Sequence, residues 1–304
     1  MRRLLLIVNE NAYGMTRERR DAVADALSQA FKLEDVATEG PGHAIELTRE
    51  AVLDGAEIVA ALGGDGTVNE VANGLAGSDV PMAIVPSGMA NVFARSLGIP
   101  NDALAATRLL MDNAKDSPRR VTLGVVEGRY FTSNCGVGFD AAIVRRVEEH
   151  QRAKKRGGDW FFVWTGLRLF FSGYDRATPR ILLAWGEDLE RQHEGLFLAI
   201  IQNTSPYTYL GKRPMRLCPQ AELDAGLDCI ALDSMKARVA VPVVLSSFGS
   251  GAHVEKPHVL HVRDQRRFEI RCNGLLPVQV DGEFIGERDH VLVEAVPNAL
   301  SVLY

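Results

Sequence analysis

The run Gly63-Gly64-Asp65-Gly66-Thr67-Val68-Asn69-Glu70 sits between an apolar strand pattern, Ile58 to Leu62, and a helical pattern, Val68 to Leu75. Glycines permit positive φ and let backbone N–H groups approach a ligand closely. A helix N-terminus adds unpaired N–H groups and a positive dipole end, both suited to phosphate. Asp65 would repel a bare phosphate, so it suits a Mg²⁺-linked group or a proton acceptor. The run is neither a P-loop nor a Gly-x-Gly-x-x-Gly fingerprint. Read structurally, it is a tight turn in which Asp65 or Thr67 caps the helix. A second corner, Pro86-Ser87-Gly88-Met89-Ala90-Asn91, again joins strand to helix, and a third, Asn9 to Gly14, follows the first strand. Strand–turn–helix corners on one side of a parallel sheet can share one nucleotide. Far along the chain, Asp281-Gly282-Glu283 lies between β runs, where Asp-Gly signals a hairpin.

The elements that must position these residues change character along the chain. Up to about residue 120, strands and helices alternate. Leu4 to Val8, Ile58 to Leu62 and Met82 to Val85 read as strands, and Thr16 to Phe31, Ala44 to Leu53, Val68 to Leu75 and Ala90 to Leu97 as helices. That alternation predicts βαβ units and a parallel sheet. From 121 to 293, short β runs dominate, broken by a helical stretch from about Ala141 to Gly173. The expected architecture is an α/β nucleotide-binding domain over 1–120 followed by a β-sandwich-like domain over 121–293 with a helical insertion.

Composition narrows the function. The chain has 304 residues and a net charge of −5, which argues against a general nucleic-acid binder. Its four cysteines, Cys135, Cys218, Cys229 and Cys272, show no zinc spacing and fit a reducing compartment. His258 and His261 fall on opposite faces of a β-like run and do not chelate one metal. No apolar run reaches the roughly 18 residues that span a bilayer. The expectation is a cytoplasmic protein that touches a membrane only peripherally. Its contact surface is sought between Arg145 and Phe171, where Arg145, Arg146, Arg152, Lys154, Lys155 and Arg156 precede Trp160, Phe161, Phe162, Trp164, Phe170 and Phe171. Basic residues beside aromatics suit an anionic lipid surface. The same pattern also fits a solvated basic helix with aromatics in the core, or the contact of a homodimer.

The run from Gly63 to Leu75 resembles the signature of the diacylglycerol kinase catalytic-domain family, which includes bacterial lipid kinases and sphingosine kinases. Further matches are Asn91, Phe93 to Pro100, Gly136 to Ala141, and Asp281-Gly282-Glu283. NAD kinases share the Gly-Gly-Asp-Gly-Thr core, but the continuation through Asn73-Gly74-Leu75 and the segment ending Leu97-Gly98-Ile99-Pro100 resemble the lipid branch. The resemblance implies a cleft holding ATP and Mg²⁺, with a final segment, 294–304, returning to the first domain. It implies nucleotide contacts from Asn9, Thr38, Gly63, Gly64, Asp65, Gly66, Thr67, Asn69 and Gly88, and a proton acceptor at Glu283. Asp281 and Asp65 fall at positions near the metal and the reacting hydroxyl. The sequence departs from the family at Met89, at Val92 and at Ala225, which stands where a carboxylate would hold a structural Mg²⁺. The resulting expectation is an ATP-dependent kinase acting on a hydroxyl of a glycerolipid or sphingoid-type lipid. A non-catalytic lipid- or nucleotide-binding relative and an NAD kinase-like soluble-substrate kinase are the alternatives.

Overall fold

The computed structural model describes residues 1–304, with side chains at 1–150 and 161–304. The chain divides into two compact units, Met1–Leu123 with Val296–Tyr304, and Gly124–Ala295. In the first, strands and helices alternate as β1 (Arg3–Val8), α1 (Arg17–Ser28), β2 (Lys32–Ala37), α2 (His43–Leu53), β3 (Ile58–Gly63), α3 (Asp65–Leu75), β4 (Met82–Pro86), α4 (Val92–Ser96) and α5 (Ala103–Asp112), before β5 (Arg119–Val126). β4, β3, β1 and β2 lie side by side in that order, all parallel. The order runs outward in both directions from β1, so the corners after β1 and β3 flank a topological switch point.

β3 is buried at every position, as a parallel strand covered on both faces should be. Leu4, Leu6, Val8, Ile58, Ala60 and Leu62 pack with Val23 and Leu27 of α1 and with Leu110 of α5. β2 escapes the apolar-run reading because it is the edge. Lys32, Glu34 and Asp35 are exposed on it, and charged side chains keep such an edge from pairing with another chain.

The second unit continues with β6 (Arg129–Phe131), β7 (Asn134–Gly138), α6 (Phe139–Glu148), α7 (Gln151–Ser172), β8 (Ile181–Trp185), β9 (Arg191–Leu196), β10 (Leu198–Gln202), β11 (Thr208–Leu210), β12 (Arg213–Met215), β13 (Leu227–Leu232), α8 (Ala237–Ser247), β14 (Val259–Gln265), β15 (Arg267–Val280) and β16 (Glu283–Val302). β14, β13, β10, β7, β15 and β16 pair in sequence, all antiparallel, and β8 and β9 extend from β15. This is the β-sandwich-like domain with a helical insertion. Its core is built from inward residues of these strands, among them Phe131, Val137, Ile201, Cys229, Phe268, Val278 and Val293. Cys135, Cys218 and Cys229 are free and buried. The end of β16 passes into the first unit, where Val302 pairs with Met82 in parallel and the Leu303 amide donates to the Met82 carbonyl at 2.9 Å.

The insertion is two helices rather than one pattern, because Gly138, at φ 88°, starts α6 and the chain breaks at His150 before α7. α8 is a helix where four valines and two alanines around Pro242 give no strand or helix signal by type alone. Its inward residues Ala240, Val243 and Ser247 recur at helical spacing, which decides the conformation. Among the described residues, no helix is long and apolar enough to cross a membrane.

Candidate active site

Within the first unit, the first group of candidate residues lies where β1, β2, β3 and β4 end. Gly63 must lack a side chain because a Cβ would lie 2.5 Å from the Thr67 hydroxyl. Asn9, just past β1, donates from Nδ2 to that same hydroxyl at 3.0 Å, and its Oδ1 accepts the Asn11 amide. Thr38, just past β2, donates its amide to the Val8 carbonyl at 2.8 Å and so extends the β1–β2 pairing to the same edge.

Gly64 and Gly88 meet backbone to backbone. A Cβ on Gly64 would sit 3.2 Å from the Gly88 Cα, and one on Gly88 would sit 2.7 Å from the Gly64 Cα. The Ser87 amide ties the corners together by donating to the Gly63 carbonyl at 2.7 Å. A Cβ on Gly66, in the first turn of α3, would meet open space. The corner therefore offers first-turn amides of α3 with no side chain in front of them, which is the form of a phosphate cradle. The residues present fit the phosphates of a nucleotide. Gly88→Ala drives a methyl into the Gly64 backbone and to 2.6 Å from Asn91 Oδ1. It should weaken ATP binding by about tenfold or more, read by titration calorimetry, since one kcal-scale clash changes affinity by that order.

Asp65 is the first residue of α3, but its carboxylate turns to the neighbouring corner. Oδ2 accepts the Asn91 amide at 2.9 Å and Oδ1 accepts the Val92 amide at 2.6 Å. Asn91 holds the corner from the other side, at φ 47°, with Nδ2 donating to the Gly88 carbonyl and Oδ1 accepting the Gly88 amide, both at 2.9 Å. The Gly88 N–H is thus already engaged. Asn69 is buried, with Oδ1 accepting from Asn73 at 3.2 Å. Glu70 accepts the Gly42 and Ala44 amides and caps the start of α2.

Asp281 and Glu283 belong to the second unit. Asp281 and Gly282, at φ 48° and 80°, make the tight turn between β15 and β16 that Asp-Gly predicts. Asp281 accepts the Thr132, Ser133 and Asn134 amides and the Thr132 hydroxyl, at 2.8–2.9 Å. It fixes the β6–β7 connection. Glu283 is 56% exposed and pairs with Arg129 at 2.5 Å. Of these two carboxylates, Glu283 is the more exposed.

Residue typing gave no role to Asp140, Gln279 and Arg129. Gln279 is fully buried, and its amide donates to Asn134 Oδ1 at 2.7 Å and Asp140 Oδ2 at 2.8 Å while its Oε1 accepts the Gly282 amide. Tyr207 donates to Asp140 Oδ1 at 2.5 Å. Burial pushes the Asp140 carboxyl up, against the opposing pull of the Tyr207 and Gln279 hydrogen bonds. Gly136 and Gly138 were the visible signal, since a Cβ on Gly136 would collide with Asp140. For Arg129 there was no signal, because its partner is 154 residues away.

At the loop around Ala225, where the family carries a metal-holding carboxylate, the side chain is a methyl group. The Gly226 amide donates to Asp264 Oδ1 at 2.7 Å, and the Asp264 amide donates to Asp228 Oδ1 at 2.9 Å, so these carboxylates close the loop directly. Among the described residues, no group of three or more His, Cys, Asp or Glu is arranged to hold a metal. Without nucleotide, the melting temperature should be the same in Mg²⁺ and in chelator, by differential scanning calorimetry.

A cavity of about 500 Å³ lies between α6 and α7. Ala142, Phe161, Trp164 and Leu169 give it apolar walls, and Arg145, Arg146 and Arg168 line it beside Glu149, which pairs with Arg146 at 2.9 Å. Arg145 also pairs with Glu287 at 2.7 Å, and Glu148 accepts the Phe284 amide at 3.1 Å, so α6 is tied to β16 just after Glu283 in sequence. Arg152, Lys154, Lys155, Arg156 and Trp160 lie outside the residues whose side chains are described.

The chain thus joins a parallel-sheet corner with two abutting glycines to a β-sandwich-like domain carrying Asp-Gly-Glu. Residues 3–125 match the diacylglycerol kinase catalytic domain, and residues 133–304 match the YegS C-terminal NAD kinase beta sandwich-like domain. A protein of Pseudomonas syringae pv. tomato named "probable lipid kinase YegS-like" is 36% identical over 99% of this chain and 93% of its own. A Bacillus subtilis diacylglycerol kinase is 28% identical over 82% of this chain and 78% of its own. A crystal structure of a diacylglycerol kinase from Bacillus anthracis str. Sterne has the same fold, with a TM-score of 0.78 at 23% identity over 99% of this chain and 96% of that one. The chain belongs to the diacylglycerol kinase catalytic-domain family, in its YegS-like branch.

Proposed function

We propose that this protein is an ATP-dependent lipid kinase that transfers the γ-phosphate to a hydroxyl of a glycerolipid or sphingoid-type acceptor at a membrane surface. The observation that carries the reading is the side-chain-free corner of Gly64 and Gly88 before the first turn of α3. Phosphoryl transfer asks mainly for positioning and charge neutralisation. In this reading the α3 amides and the glycine corner hold the ATP phosphates, and Asp65 fixes the corner's shape by gripping the Asn91 and Val92 amides. Mg²⁺ arriving with ATP would neutralise phosphate oxygens, with Asp65 as the carboxylate nearest to hand in that corner. Glu283, oriented by Arg129, accepts the proton of the acceptor hydroxyl. Asp281 holds the turn that presents Glu283.

The apolar walls and lining arginines of the α6–α7 cavity support an acceptor with an acyl chain and an anionic surface around it. The basic and aromatic residues of α7 support docking on anionic lipid, with the remainder of the molecule in the cytoplasm and no nucleic-acid partner. The test is label from ATP in mixed micelles of diacylglycerol, monoacylglycerol, phosphatidylglycerol, ceramide or sphingosine, beside a lipid-free reaction with NAD. Label in one lipid names the acceptor class. Label in NAD alone overturns the lipid reading.

A further inference from the structure

We propose that α8 is a second bilayer-docking element, acting with α7 on one anionic membrane face; this rests on the docking reading above. Phe170 of α7 and Ala240 and Val243 of α8 share one buried cluster with residues of β10 and β13. The two helices therefore cover the same face of the sheet, and what each turns away from that cluster lies on one side of the unit. Both turn apolar stripes outward. Trp164, Leu167 and Phe171 on α7, and Val241, Val244 and Leu245 on α8, are 42–68% exposed. Their spacings, three and four apart, keep each set on a single helix face.

The charges around these stripes select the occupant. From Phe161 to Tyr174 the only charged residue is Arg168, and from Lys236 to Val254 the only Lys, Arg, Asp or Glu residues are Lys236 and Arg238. Arg168 lies over the Trp164 ring at 5.4 Å, with no carboxylate partner among the described residues. Two apolar stripes bearing only positive charge, on a chain of net charge −5, complement a surface of negative headgroups over acyl chains. Large exposed apolar side chains grouped in this way mark an interaction surface, whereas scattered ones do not.

The experiment is co-sedimentation with vesicles of equal parts phosphatidylglycerol and phosphatidylcholine, and with phosphatidylcholine alone. Three proteins are compared: wild type, the α8 variant Val244→Ser/Leu245→Ser, and the α7 variant Leu167→Ser/Phe171→Ser. Circular dichroism and ATP binding in solution are recorded beside it, and Leu245→Ser alone serves if the double α8 variant loses helix content. The wild type should sediment with the anionic vesicles only, and each variant should bind them about tenfold more weakly, as expected for removing buried apolar groups from an interfacial helix. ATP binding by the α8 variant should be unchanged. Loss in the α7 variant with full binding by the α8 variant overturns this proposal and leaves the α7 docking reading standing. Failure of the wild type to sediment overturns both, while ATP binding judges the kinase reading separately. If the α8 substitutions instead convert a dimer to a monomer in ultracentrifugation and vesicle binding stays intact, the face is a self-contact and the proposal falls.

Discussion

Asp65→Ala should reduce phosphate transfer by about 10²–10³-fold or more, the scale seen when a preorganised polar group at a phosphoryl site is removed. The substitution should also cost stability. The carboxylate accepts two amides, from Asn91 and Val92, and leaving such donors without their acceptor costs about 1–3 kcal/mol. A purely catalytic carboxylate would show the first effect without the second. Asp65→Asn separates the two, since it keeps the size of the side chain but turns an NH₂ group toward one of the amide donors. Initial rates at saturating ATP, set beside thermal unfolding of the same proteins, check both effects. Full transfer activity in Asp65→Ala would remove Asp65 from the site.

Glu283→Gln is expected to show the opposite balance. General-base catalysis contributes about 10²–10⁴-fold, so transfer should fall by that order. Glu283 is 56% exposed and pairs with Arg129 near the surface, so unfolding stability should stay within about 0.5 kcal/mol of wild type. Asp281→Asn, two residues away, should instead unfold at a markedly lower temperature. Its carboxylate accepts the Thr132, Ser133 and Asn134 amides and the Thr132 hydroxyl, and an amide side chain cannot accept all of them. The measurement is kcat with KM for each variant, beside its melting temperature. A Glu283→Gln enzyme with unchanged kcat would mean another group takes the proton.

The glycine corner was legible in the sequence because its constraints are local. Gly63 and Thr67 lie four residues apart, and strand, turn and helix follow one another directly. The Asp281-Gly282 turn was legible for the same reason. What sequence could not show is which carboxylates are already engaged. Asp65 reaches across 26 residues to the Asn91 amide, and Asp281 reaches across 149 to Thr132, so both are partly structural, whereas Glu283 is the exposed one. Asn69 carries a motif position, and its burial and its bond to Asn73 on the next turn of α3 are not visible in residue type. The polar edge strand β2 and the valine-rich helix α8 were missed for a shared reason. Residue type alone does not say which side of an element faces a core, and packing settles both.

The central claim is that this corner and these carboxylates move phosphate onto a lipid hydroxyl. The most direct test is transfer of label from γ-labelled ATP to lipid in mixed micelles by the wild type and by Glu283→Gln, with ATP binding measured on both. The account predicts labelled lipid phosphate from the wild type, a fall of about 10²-fold or more in the variant, and equal ATP affinity in the two. A wild type that binds no ATP, or that labels NAD and no lipid, would contradict it.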